Sequence, residues 1–129
     1  MISHSYEIAD AHTHIFPAKI AEKAAHSIAD FYKVRAGDVG TTEVLLEHGR
    51  QLGISHYLVC SVATTPKQVR TINHFITDNC REHPEFIGFG TIHPGMTETE
   101  MITEAVHIKE QGLAGVKLHP DIQDFVLDD

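Results

Sequence analysis

The chain has 129 residues, 42% apolar and 22% charged, which suits one soluble globular domain and excludes a disordered or low-complexity chain. Ten Lys and Arg against 18 Asp and Glu give a formal charge of −8, which argues against an electrostatic grip on nucleic acid or on an anionic membrane surface. No apolar run approaches the roughly 18–20 residues of a membrane span, the first ten residues lack a signal-peptide pattern, and Cys60 and Cys80 form no CxxC pair, so a reducing cytoplasm is the expected setting.

In chain order, residues 6–11 predict a short strand, and residues 18–31 predict a helix with Ile20, Ala24, Ala25, Ile28 and Phe31 at helical spacing. After a linker over residues 32–40, Thr41 and Thr42 open a second helix that Gly53 closes. Residues 56–63 form a near-continuous apolar run, the pattern of a parallel strand buried on both faces. Thr65, Pro66 and Gln68 carry the signature of a capping box, and the helix they start ends before Pro84. Residues 86–92 predict a third strand whose Gly88 and Gly90 permit close packing. Thr97 and Glu100 make a second capping box, for a helix that Gly112 ends, and residues 114–118 predict the fourth strand. Repeated βα units with parallel crossovers define an α/β fold, either a doubly wound sheet or part of a (β/α)8 barrel.

In both architectures the active site lies at the carboxyl ends of the strands. Histidine is abundant, 11 residues of 129, and three of the four strand ends carry one: His12 and His14, His93, and His119. About one His-x-His pair is expected by chance at this content, so the weight lies in where His12 and His14 fall. Positions i and i+2 of a strand share a face, and two imidazoles there can converge on one ion, so His12 and His14 are candidate metal ligands. His93 and His119, each followed by Pro, stand between a pocket role and a scaffold role. Lys117 shares the face of His119 by alternation and is a candidate anchor for an anionic substrate, with pairing to a carboxylate or carbamylation as alternatives. Asp10 alternates onto the His12 face, either orienting an imidazole or accepting backbone bonds. The other seven, His4, His26, His48, His56, His74, His83 and His107, read as structural or solvated. No GxGxxG, GKS/T or GxSxG motif is present.

The segments at residues 10–17 (DAHTHIFP), 88–94 (GFGTIHP) and 115–123 (GVKLHPDIQ) resemble the amidohydrolase-2 family of the metal-dependent amidohydrolase superfamily, over essentially the whole chain. The resemblance implies that residues 1–129 are the N-terminal half, about four βα units, of a TIM-type (β/α)8 barrel truncated after its fourth strand. It implies His12 and His14 as ligands of a divalent metal, zinc foremost, with His119, His93 and Lys117 toward a small-molecule substrate. It implies a metal-dependent hydrolase of C–N or C–O bonds, or a non-oxidative decarboxylase. The family's further His and its proton-transferring Asp fall on later strands, so no catalytic residue is assigned here and the 129-residue chain is expected to be inactive alone. Its open edges point to a homodimer. A TatD- or PHP-type phosphoesterase also opens with His-x-His, although the segment KLHP favours the amidohydrolase-2 type, and a non-catalytic half-barrel binding module is the third reading.

Overall fold

The computed structural model describes residues 6–35 and 37–127, so His4 lies outside the described residues. Its elements in order are β1 (Ile8–His14), α1 (Ala18–Tyr32), α2 (Thr42–Leu52), β2 (Ile54–Cys60), a 3-10 turn (Pro66–Gln68), α3 (Val69–Glu82), β3 (Phe86–Thr91), α4 (Glu98–Glu110), β4 (Gly115–Lys117) and the short α5 (Pro120–Gln123). The four strands form one sheet in the order β1-β2-β3-β4, every neighbouring pair parallel. A doubly wound sheet reverses its strand order at a switch point, whereas a barrel wall adds each strand beside the last. This sheet follows the second pattern.

One face of the sheet carries the core. Tyr57, Val59 and Phe86 pack there with Ile15, Ile76, Ile108 and Leu113 beneath the helices. Gly88 and Gly90 let α3 and α4 approach this face. A Cβ on Gly88 would lie 2.6 Å from Cys80 Sγ, 2.7 Å from Leu113 Cδ2 and 2.9 Å from Ile76 Cγ2. Gly88→Ala is therefore an overpacking change on three sides, expected to lower stability by about 1–3 kcal/mol in a denaturant titration.

Several helix ends follow local capping rules. Thr41 Oγ1 accepts the N–H of Val44, and Gly53 and Gly112 take positive φ values of 73° and 81° just past α2 and α4. Both halves of the Thr97–Glu100 capping box form. The Thr65–Gln68 box does not. Thr65 makes no side-chain cap, and Gln68 Oε1 instead accepts from Thr64 N and Thr64 Oγ1 at 2.8 and 3.0 Å. The 3-10 turn at Pro66 tightens the entry, so the glutamine reaches one residue further back.

Strand bounds shift from the sequence expectation. β1 runs on through His14, and β2 spans Ile54–Cys60 rather than 56–63 because Ser61 leaves the ladder and donates to Ile15 O at 2.8 Å. β4 keeps only three residues, although Ala114 N–H still donates to Gly88 O at 2.8 Å. Among the described residues no helix is long and apolar enough to cross a membrane.

Candidate metal centre

The pairing of β1 with β2 sets the geometry. Asp10 stands opposite Tyr57 and Thr13 opposite Val59, so three steps of β1 run beside two steps of β2. An extra residue at positions 11–12 interrupts the alternation, as a bulge does, and re-aims the strand end. Asp10 consequently shares the side of Tyr57 rather than the face of His12, and its Oδ1 accepts the backbone N–H of His12 at 3.1 Å. The alternation predicted for Asp10 fails for that reason. Beyond the irregularity, Thr13 is buried with its hydroxyl on Leu58 O at 2.8 Å, while His14 pairs with Cys60 on the opposite face.

His12 and His14 come together at this rim, with ring centroids 5.0 Å apart in an edge-on arrangement. The ligating atoms of His12, His14 and Cys60 lie within 4.8 Å of one another. The His14 ring is oriented from behind. Its Nδ1–H donates to the Cys60 carbonyl at 3.1 Å, since a carbonyl can only accept, and this leaves the Nε2 lone pair free. Burial is the main cause that lowers the His14 pKa, the Cys60 hydrogen bond opposes it, and the positive charges of His12, Lys117 and His119 add to the lowering. Neutral imidazole is the ligating form, so these causes favour binding of a cation through Nε2.

Cys60 belongs to the same cluster in a different way. Its Sγ lies 3.8 Å from His14 Nδ1 and contacts Thr13 O at 3.6 Å, so it backs the edge of the ring that faces away from Nε2. Burial pushes its thiol pKa up, partly opposed by Lys117, which keeps it protonated. Two imidazoles thus fit a divalent ion, with Cys60 packing behind one of them. This is short of the three or so protein ligands of a catalytic zinc site.

The sheet register puts Lys117 on the face of His14, through the pairs His14 with Cys60, Cys60 with Phe89 and Thr91 with Lys117, and His119 follows just past this strand end. The two ring nitrogens of His119 are already engaged. Nδ1 accepts the N–H of Ile122 as the N-cap of α5, which assigns the ring proton to Nε2, and Nε2 lies 2.5 Å from Tyr32 Oη. With the phenol oxygen accepting, the Tyr32 hydroxyl hydrogen is free to donate elsewhere. Helix α1 starts just past His14 and ends against His119, so it runs along the rim from β1 to β4. His93 turns into its own loop, where Nδ1 accepts from Gly95 N at 2.9 Å.

Three residues absent from the sequence-derived site also shape this rim. Tyr32 and Cys60 are brought in by contacts across 87 and 46 residues of chain, for which a single sequence carries no signal. Gln123 is buried and ties three strand ends together, donating to Ala63 O at 3.1 Å and Ile92 O at 2.7 Å and accepting from His119 N at 2.9 Å. Its place three residues after His119-Pro120 was the available signal. Of the histidines read as structural or solvated, His48 pairs with Asp38 and His56 with Ser55, whereas His74 and His107 meet each other on the outer helices.

No protein-family model matches the sequence, and no curated protein matches it. Solved structures do. A probable 2-pyrone-4,6-dicarboxylic acid hydrolase from Acinetobacter baumannii, with citric acid bound, shares 22% identity at a TM-score of 0.51 over 88% of this chain and 38% of its own. A 2,6-dihydroxybenzoate decarboxylase complexed with 2,6-dihydroxybenzoate gives 16% identity and 0.57, over 85% of this chain and 38% of its own. A 4-oxalomesaconate hydratase from Rhodopseudomonas palustris gives 20% identity and 0.58, over 89% and 42%. These neighbours are amidohydrolase-2 family members. The likeness shows the fold. The chain has the α/β architecture of the N-terminal half of a (β/α)8 barrel and spans 38–42% of the length of these structures.

Proposed function

We propose that this chain is the metal-binding N-terminal half of an amidohydrolase-type enzyme, a metal-dependent hydrolase or carboxy-lyase acting on a small carboxylate or amide substrate. The observation that carries the reading is the pair His12 and His14 at the carboxyl end of the first strand, with His14 anchored through Nδ1 to the Cys60 carbonyl. A divalent ion bound there, zinc foremost, would supply Lewis acidity, polarising a substrate carbonyl and lowering the pKa of water toward neutrality.

The chain's own residues define the rest of the reading. His12 and His14 hold the ion. The Lys117 ammonium offers a cationic partner to a substrate carboxylate, and His119 presents the Tyr32 hydroxyl as a hydrogen-bond donor at the same rim. His93 keeps only Nε2 free and takes a secondary place on the substrate side. The remaining ligand and the proton-transferring carboxylate that the family resemblance implies belong to strands outside these 129 residues. The chain alone is accordingly assigned metal binding, weak and without turnover.

Zinc uptake at neutral pH tests this, measured with His74 replaced by Ala so that the outer imidazole pair does not contribute. About one equivalent is expected, and the added double change His12→Ala, His14→Ala should abolish it. Equal zinc content with and without the two histidines would overturn the assignment.

A further inference from the structure

The outer helices carry a second meeting of imidazoles. His74 on α3 and His107 on α4 place their Nε2 atoms 3.3 Å apart, with ring centroids separated by 5.4 Å and planes inclined at 59°. Zinc–imidazole bonds of about 2.0–2.1 Å at a tetrahedral angle set two nitrogens about 3.3–3.4 Å apart, so the separation equals the edge of a metal tetrahedron. His74 is exposed and His107 half-buried, so an ion has access from solvent.

The two rings are held at this distance by what flanks them. On one side Arg70 pairs with Glu104 at 2.9 Å, and Asn73 donates to the same carboxylate at 2.7 Å. On the other side Arg81 donates to Gln111 at 2.8 Å. These residues follow helical spacing along the facing stripes of α3 and α4, with His74 and His107 as the middle rung. The backbone positions of both ligands are therefore fixed before any ion arrives, which reduces the ordering cost of chelation.

We propose that His74 and His107 form a bidentate site for an imidazole-preferring divalent ion such as Ni2+, Cu2+ or Zn2+, separate from the strand-end histidines, which clamps α3 to α4. Water fills the remaining positions. The competing arrangement is a plain N–H···N bond between two neutral rings, which needs no ion. An ion bound to the folded pair stabilises the chain by linkage, so melting temperature should rise with metal concentration.

The test uses the 129-residue chain carrying His12→Ala and His14→Ala, which removes the other imidazole pair. Ni2+ titration should give one site, and adding His74→Gln or His107→Gln should weaken it about tenfold or more by loss of the chelate. With Cu2+, electron paramagnetic resonance should read two imidazole nitrogens in that background and one in each additional variant. Melting curves in chelator should be unchanged by either Gln substitution, which separates lost ligation from lost folding. Unaltered Ni2+ affinity and an unaltered copper spectrum in both variants would overturn the site.

Discussion

Asn73→Ala is expected to remove about 3–5 kcal/mol of folding stability, measured by urea denaturation. Asn73 is 1% exposed and joins three buried groups. Its Oδ1 accepts the N–H of Thr91 at 2.7 Å, and its Nδ2 donates to Thr91 O at 2.9 Å and to Glu104 Oε1 at 2.7 Å. Thr91 is fully buried and Glu104 nearly so, so these groups rely on the amide rather than on bulk water. The substitution leaves a backbone donor unpaired and strips a buried carboxylate of one of its two partners, the other being Arg70. Asn73→Asp should be worse than Asn73→Ala, because it sets a second carboxylate against Glu104 with one guanidinium between them. A loss below about 1 kcal/mol for Asn73→Ala would mean that the network is not sealed from solvent.

Gln123→Ala is expected to cost about 1–3 kcal/mol, from one buried and two half-buried polar groups that lose their amide partner, although Ile92 O keeps the Thr91 hydroxyl at 3.2 Å. The groups are Ala63 O, Ile92 O and His119 N, which follow β2, β3 and β4. Gln123→Glu discriminates between volume and hydrogen bonding. It preserves size but turns an oxygen toward two carbonyls, and should be at least as damaging as Ala. Thermal melts of the three proteins at equal concentration would check the order, and a Glu variant as stable as the parent would exclude a stabilising role for the Gln123 hydrogen bonds.

Much of this architecture is legible one residue at a time. Gly53 and Gly112 mark helix ends because they take positive φ, and Thr97 with Glu100 marks a helix start because the reciprocal bonds are local. The apolar run around Val59 reads as a buried strand for the same local reason. What escapes is set by pairing between distant segments. The apolar pattern of β1 stops at Ala11 because His12, Thr13 and His14 are polar, yet its ladder to β2 continues to His14 opposite Cys60. The irregularity at residues 11–12 is invisible without the partner strand, and it is what moves Asp10 off the histidine face. α5 is four residues long, below any useful period, and its N-cap is the imidazole of His119. The strand-end histidines are thus readable as a set, while their contacts with Cys60, Tyr32 and Gln123 depend on the finished sheet.

The sequential strand order also determines how this sheet can be built. Each strand needs only the one made before it, so β2 can dock on β1, β3 on β2 and β4 on β3 as the chain leaves the ribosome. The closures are unequal. His14 meets Cys60 across 46 residues, whereas Thr91 meets Lys117 across 26. The longer loop costs about 0.5 kcal/mol more in closure entropy, and the helices α1 and α2 lie inside it. The first pairing therefore closes the larger loop of the two, and it is the pairing that carries His14. The His12–His14 pair thus takes its place at the opening step of assembly, and His93 and His119 join it with the later strands.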